Sequence, residues 1–275
     1  MTDALPPPEG EEPPSDEVDA YRMSLLEHLV ELRDRLIRGG AALLVATGVC
    51  LPFGDEIFRF LIAPTDGKFP EGSGFIYTEL AEKFITDLKV SLFAAVFLAA
   101  PFLFAQIWGF VSPGLYKRER KAVLPFAFFS TLLFTAGAAF CYLGILDIAV
   151  GFFLKFAADG DIAAKIKVSA YLTFVTRFMF AFGAIFELPL AIFFLARMGL
   201  VTAVGLKKFR PYAIIVAFLV GAMLTPPDPL SQAALAVPMI LLYEVGILTA
   251  RLWGRERSTI AAEDEDAAKA EDSKG

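Results

Sequence analysis

Glu27, Glu31 and Asp34 fall in the stretch Ser24-Leu-Leu-Glu-His-Leu-Val-Glu-Leu-Arg-Asp-Arg-Leu, just ahead of the first long apolar run. At about 100° per residue the three carboxylates share one side of a helix, while Leu25, Leu29, Leu32 and Leu36 form a stripe on the other. Ser24 and Glu27 have the spacing of a capping box, and no Pro or Gly interrupts the helix before Gly39-Gly40. A short amphipathic helix is therefore expected, its leucines on the membrane surface and its acids in water. Such an acidic face can dock a cationic ligand. It can also do no more than support the helix, through Glu31 to Arg35 and Asp34 to Arg38 at i,i+4.

Three other acids stand out. Glu119 is the only acid among Lys117, Arg118, Arg120 and Lys121, in a loop that Pro113-Gly114 separates from the preceding apolar run. The bases read as topological anchors, whose mutual repulsion one acid would relieve. Glu187, in Phe-Gly-Ala-Ile-Phe-Glu-Leu-Pro, lies about ten residues, roughly 15 Å, from the base Arg197, and so near the middle of a bilayer. An ionised acid there costs several kcal/mol, so Glu187 must be neutralised or face a wet cavity, either as a functional contact or as a hydrogen-bond partner of another span, for example at Gln106. Glu244, in Leu-Leu-Tyr-Glu, presents the same choice in the last apolar run. Arg177, nearer the outer end of the helix that holds Glu187, is expected to snorkel outward.

The remaining chemistry is sparse. His28 is the single histidine, and Cys50 and Cys141 sit in apolar runs without a CxxC, so no metal site is expected. No nucleophile and base pair and no Walker-type loop can be read, so no catalysis, ATP hydrolysis or cofactor is expected, and no nucleic-acid partner. Thr225-Pro226-Pro227-Asp228-Pro229 reads as a stiff outer turn, with Asp228 placed to cap the helix that holds Ser231 and Gln232.

These residues need a membrane-spanning frame. The chain is 56% hydrophobic with 28 Phe and a mean hydropathy of +0.60, which exceeds what a soluble domain carries. Its net charge of −6 resides in the tails: residues 1–20 carry −7, residues 258–275 carry −4, and residues 21–257 are left with +5. Both tails lack apolar periodicity and are expected to be disordered around one membrane domain, residues 21–257. No basic n-region and cleavage site opens the chain, so the first span should act as the insertion signal.

Six apolar segments are read, at Leu36 to Phe53, Leu88 to Val111, Val123 to Leu146, Tyr171 to Ala196, Tyr212 to Leu224 and Ala233 to Leu252. The fifth is short for a bilayer and predicts either a thinned span or a re-entrant segment. Bases cluster after even-numbered spans and outside the first and last, which predicts that both termini face the cytoplasm. The outer loops Gly54 to Asp87 and Asp147 to Ser169 contain apolar clusters suited to helices lying along the outer face. Prolines 101, 125, 189 and 238 should kink their helices, giving an all-α, curved bundle of six transmembrane helices.

Three separated segments resemble the TatC family, the large membrane component of the twin-arginine protein translocase: Glu-His-Leu-Val-Glu-Leu-Arg-Asp-Arg-Leu at 27–36, Phe-Val-Ser-Pro-Gly-Leu-Tyr-Lys-Arg-Glu-Arg at 110–120, and Leu-Thr-Pro-Pro-Asp-Pro-Leu-Ser-Gln at 224–232. The resemblance spans about residues 22–250. It implies a receptor in the bacterial cytoplasmic (inner) membrane that binds the signal peptides of folded cargo through their paired arginines. Glu31 and Glu119 match the family's two acidic anchors, and Arg33 and Phe110 match its surrounding pattern. It further implies that Glu187 meets the single-span partners TatA and TatB, that several copies assemble in the bilayer, and that the proton gradient supplies the energy. A proton-coupled secondary transporter is the alternative, although no internal repeat supports it.

Overall fold

The computed structural model describes residues 25–69, 72–111, 123–158, 165–224 and 228–253. The acidic tails, Glu119, Pro226 and Pro227 lie outside the described residues. The long helices are α1 (Leu25–Cys50), α3 (Glu82–Val111), α4 (Val123–Phe140), α6 (Val168–Phe186) with α7 (Leu188–Arg197), α8 (Ala203–Leu224) and α9 (Pro229–Trp253), with two shorter ones, α2 (Gly54–Ile62) and α5 (Leu146–Ala158). Among the described residues five helical stretches are long and apolar enough to cross a membrane, at 27–65, 82–111, 123–155, 168–197 and 229–253. With α8 they give a membrane protein of six long helical units, in accord with the fold class read from the sequence.

Where the helices begin and end departs from the sequence reading in four places. α1 is continuous through Gly39-Gly40, so the amphipathic stretch and the first span form one rod. Gly39 is buried, and a Cβ there would stand 3.4 Å from the Leu103 side chain, so this glycine gives α3 a close approach and does not end the helix. Leu29, Leu32 and Leu36 are exposed along the rod. α8 starts at Ala203, nine residues before the apolar run, which makes it 22 residues and about 33 Å long. Its first turns carry Lys207, Lys208 and Arg210, which hid it from an apolar count.

The third span does not stop at Leu146. One π-type turn, Cys141–Ile145, carries α4 into α5, so the helix persists through the residues read as an outer loop. Of the four prolines, Pro101 and Pro238 sit inside unbroken helices, and Pro125 lies in the first turn of α4. Pro189 alone coincides with a break. It cannot donate the N–H that would continue α6, and the chain restarts as α7 immediately after Glu187.

α1 packs on α3, α3 on α4, α4 on α6, α7 on α9, and α9 on α8. The core centres on Phe178, Phe182, Val175, Val90, Leu146 and Leu235. α4 and α6 approach closely at two glycines: a Cβ at Gly137 would stand 2.5 Å from the Phe182 carbonyl oxygen, and one at Gly183 2.7 Å from the Phe134 ring. Close approach at small residues is how helices associate where lipid removes any hydrophobic drive between them.

One end of the bundle is a cap built from α2, the 3₁₀ turns around it, and a two-stranded parallel pairing of β1 (Gly74–Ile76) with β2 (Lys165–Lys167). The strands link the two loops that the sequence suggested as helical only. Buried Glu82 locks them together: its carboxylate accepts from the Thr78 N–H at 2.6 Å and from the Ser169 N–H, at the start of α6, at 3.2 Å. Lys68 pairs with Asp147 and Lys167 with Glu79 across the same cap, and the Glu79 carboxylate holds the Lys167 ammonium above the usual lysine range. The opposite end, called the base here, collects the start of α1, the end of α3, the start of α4, the end of α7, the start of α8 and the end of α9.

Candidate functional site

At the base, the first turns of α1 are fastened to the last turns of α3. Arg35 donates from Nε and Nη2 to Glu31 Oε1, at 2.9 and 2.5 Å, and from Nη1 to the Gln106 carbonyl at 3.3 Å. The i,i+4 pair thus does more than support its own helix, because the same guanidinium reaches across to α3. Gly109 makes room for it, since a Cβ there would collide with the Arg35 guanidinium. One turn further out, His28 stacks on Phe110 with ring centroids 4.2 Å apart. Asp34 pairs with its neighbour Arg33, not with Arg38 as the i,i+4 spacing suggested, and Arg33 stays 65% exposed.

Glu31 is consequently held on one side only. Both Arg35 nitrogens use Oε1, while Oε2 is buried and has no hydrogen-bond partner among the described residues. A buried carboxylate oxygen without a donor costs about 1–3 kcal/mol or more, and a planar guanidinium is the donor best shaped to satisfy it. α3 reaches Val111, beside Phe110, at this same end, and Glu119 lies outside the described residues.

About 15 Å in from the base end of α7, a second polar arrangement surrounds Glu187. Because α6 stops and α7 begins here, Glu187 sits at the junction that Pro189 imposes. Trp108 Nε1 of α3 donates to Ser130 Oγ of α4 at 2.7 Å, and Ser130 Oγ donates to Glu187 Oε2 at 2.8 Å. The partner on another span is therefore Ser130, and Gln106, two residues before Trp108 in α3, serves Arg35 through its backbone. Glu187 Oε1 and Gln106 Oε1 are both buried without a hydrogen-bond partner among the described residues. Phe126, 5.0 Å away, and Phe194, 4.9 Å away, enclose the Trp108 ring and fix the direction of its N–H.

Glu244 is no lone intramembrane acid. It accepts from Arg210 of α8 at 2.5 Å in a pair more than 40% exposed on both sides, which joins α8 to α9. At the cap end, Asp228 Oδ1 accepts from the Ser231 N–H at 2.7 Å and so caps α9. Glu31, Arg33 and Phe110 are thus brought to one end, Glu187 stands apart in the bundle, and Glu244 and Asp228 belong to helix pairing and capping. Ser130 and His28 were missed from sequence. A serine in an apolar run commonly bonds its own helix, and a lone histidine carries no motif.

The family described as Sec-independent protein translocase protein (TatC) matches residues 27–238. A Sec-independent protein translocase protein TatC of Halothiobacillus neapolitanus is 46% identical over 86% of this chain, which spans 65% of that relative's length. Its counterpart in Desulforapulum autotrophicum is 43% identical over 90% of each chain. A crystal structure of the twin arginine translocase receptor TatC superposes with a TM-score of 0.74 at 36% identity, covering 83% of this chain and 100% of that one.

Ser130→Ala should strand both the Trp108 N–H and the Glu187 carboxyl. The expected cost is about 1–3 kcal/mol in stability, read as a lower melting temperature of the detergent-purified protein. An unchanged melting temperature contradicts the three-helix link.

Proposed function

The chain belongs to the TatC family of Sec-independent protein translocases, and on that premise we propose that its base end docks the paired arginines of twin-arginine signal peptides. The observation that carries the proposal is Glu31 Oε2, a buried acceptor without a donor, in a carboxylate already held rigid by Arg35. One incoming arginine completes Glu31. The other meets Glu119, whose loop follows directly from Phe110 and Val111. A guanidinium fork satisfies a carboxylate in a way that an ammonium does not, which gives a physical reason for selecting Arg over Lys. The exposed Arg33 helps to orient the ligand, and the signal's apolar segment lies along α3 beside Phe110.

The base end faces the cytoplasm in this reading, with both termini there and the chain in a bacterial inner membrane. The bases at residues 117–121, 207–210 and 251–257 favour that orientation. The subunit itself catalyses nothing: it is a receptor and assembly platform, and the proton gradient drives the transport. Glu187, whose Oε1 lacks a donor inside the bundle, is the contact for a polar residue on single-span TatA- or TatB-type subunits. Further copies of the chain assemble beside it.

Binding of a fluorescent twin-arginine signal peptide to the purified protein tests the docking site. Glu31→Ala and Glu119→Ala should each weaken it about tenfold to 150-fold, the equivalent of one charged hydrogen-bonded contact. Unaltered affinity in both variants removes the site. Glu187→Ala should leave that affinity intact while reducing crosslinking to the small subunits, and full crosslinking would count against its role.

A further inference from the structure

A groove of about 360 Å³ opens between α1, α3 and α6 in the half of the bundle nearer the cap. Lys89 and Arg177 both line it, together with apolar side chains that include Leu43, Phe93 and Phe180. Lys89 lies seven residues into α3 and Arg177 nine residues into α6, about 10 and 14 Å along their helices from the cap end. α3 is about 45 Å long against a hydrocarbon core of about 30 Å, so both bases stand near the boundary between headgroups and acyl chains.

Three other bases of this half are paired with carboxylates within the protein. Lys68 pairs with Asp147, Lys83 with Asp55 and Asp87, and Lys167 with Glu79. Among the described residues, neither Lys89 nor Arg177 has a carboxylate within 4.0 Å. Two like charges share one apolar-walled groove, an arrangement that is costly unless an anion lies between them. Thr173 and Thr176 also line the groove, but their hydroxyls already donate to the carbonyls of Ser169 and Leu172, so the two bases supply the donors.

We propose that this groove is a binding site for an anionic phospholipid, with the phosphate diester bridging Lys89 and Arg177 and an acyl chain lying against Leu43, Phe93 and Phe180. The apolar wall favours a lipid over a free anion: a phosphate at this depth is held by its own chain, whereas inorganic phosphate would have to desolvate to enter.

Native mass spectrometry of the delipidated, full-length protein titrated with dioleoylphosphatidylglycerol tests the site. One tightly held lipid is expected. Lys89→Gln should weaken it about fivefold and the Lys89→Gln/Arg177→Gln pair about thirtyfold, from the attraction each base exerts near a membrane surface. Lys89→Arg/Arg177→Lys, which keeps both charges, should retain the lipid. Dioleoylglycerol, which lacks the phosphate, should bind no better to wild type than to the double Gln variant, and inorganic phosphate alone should not compete. Should the double variant fail to give a folded protein, the single Lys89→Gln, at an exposed position, still decides. Undiminished lipid binding in the Gln variants overturns the proposal, as do equal retention of dioleoylglycerol and full competition by inorganic phosphate.

Discussion

The Arg35 guanidinium determines where the first helix sits, and with it the geometry of the base. A charged group at the edge of a bilayer must find donors or acceptors within the protein, and Arg35 finds them on two helices at once, in Glu31 and in the Gln106 carbonyl. That requirement explains Gly109, where any side chain would occupy the guanidinium's place. The guanidinium also fastens the part of α1 that precedes Gly39-Gly40 to the end of α3. Glu31 emerges pre-oriented, one oxygen engaged and the other buried without a donor among the described residues. A site organised this way loses little entropy on binding.

The same demand for satisfied polar groups shapes the bundle about 15 Å in from the base end of α7. Glu187 occurs where Pro189 has already interrupted the helix, and Ser130 and Trp108 supply the chain of donors that keeps it there. Such a chain links α3, α4 and the junction of α6 with α7 through two short hydrogen bonds, in surroundings where the alternative to each bond is an unpartnered polar group. Near the base, Glu244 and Arg210 solve a similar problem by pairing across α8 and α9. Lys89 and Arg177 are the contrast, since the two bases line one groove with no carboxylate partner among the described residues.

Much of this architecture was legible in the sequence. The spans showed themselves as apolar runs of bilayer length, and three motifs in order indicated the family before any coordinates. The helix ends were less legible, for physical reasons. Gly39-Gly40 reads as a stop, yet a glycine buried against Leu103 is a packing device. α8 escaped an apolar count because helix continuity is a matter of hydrogen bonds, and its first turns are basic. β1 and β2 are three residues each and pair across 91 positions, so no local pattern announces them. At the site, the depth of Glu187 and the acidic face of α1 were visible as spacing. Ser130 was not, because which hydroxyl faces an acid is settled by the crossing of α4 and α6 at Gly137 and Gly183.

The central claim is that Glu31 and the loop carrying Glu119 each take one arginine of the same pair. The most direct test is a double-mutant cycle between Glu31→Gln and Arg→Lys at each position of the signal's arginine pair, read as signal-peptide affinity. A coupling of about 1 kcal/mol or more with one arginine, and none with the other, is the predicted result. Additive losses at both positions would contradict it.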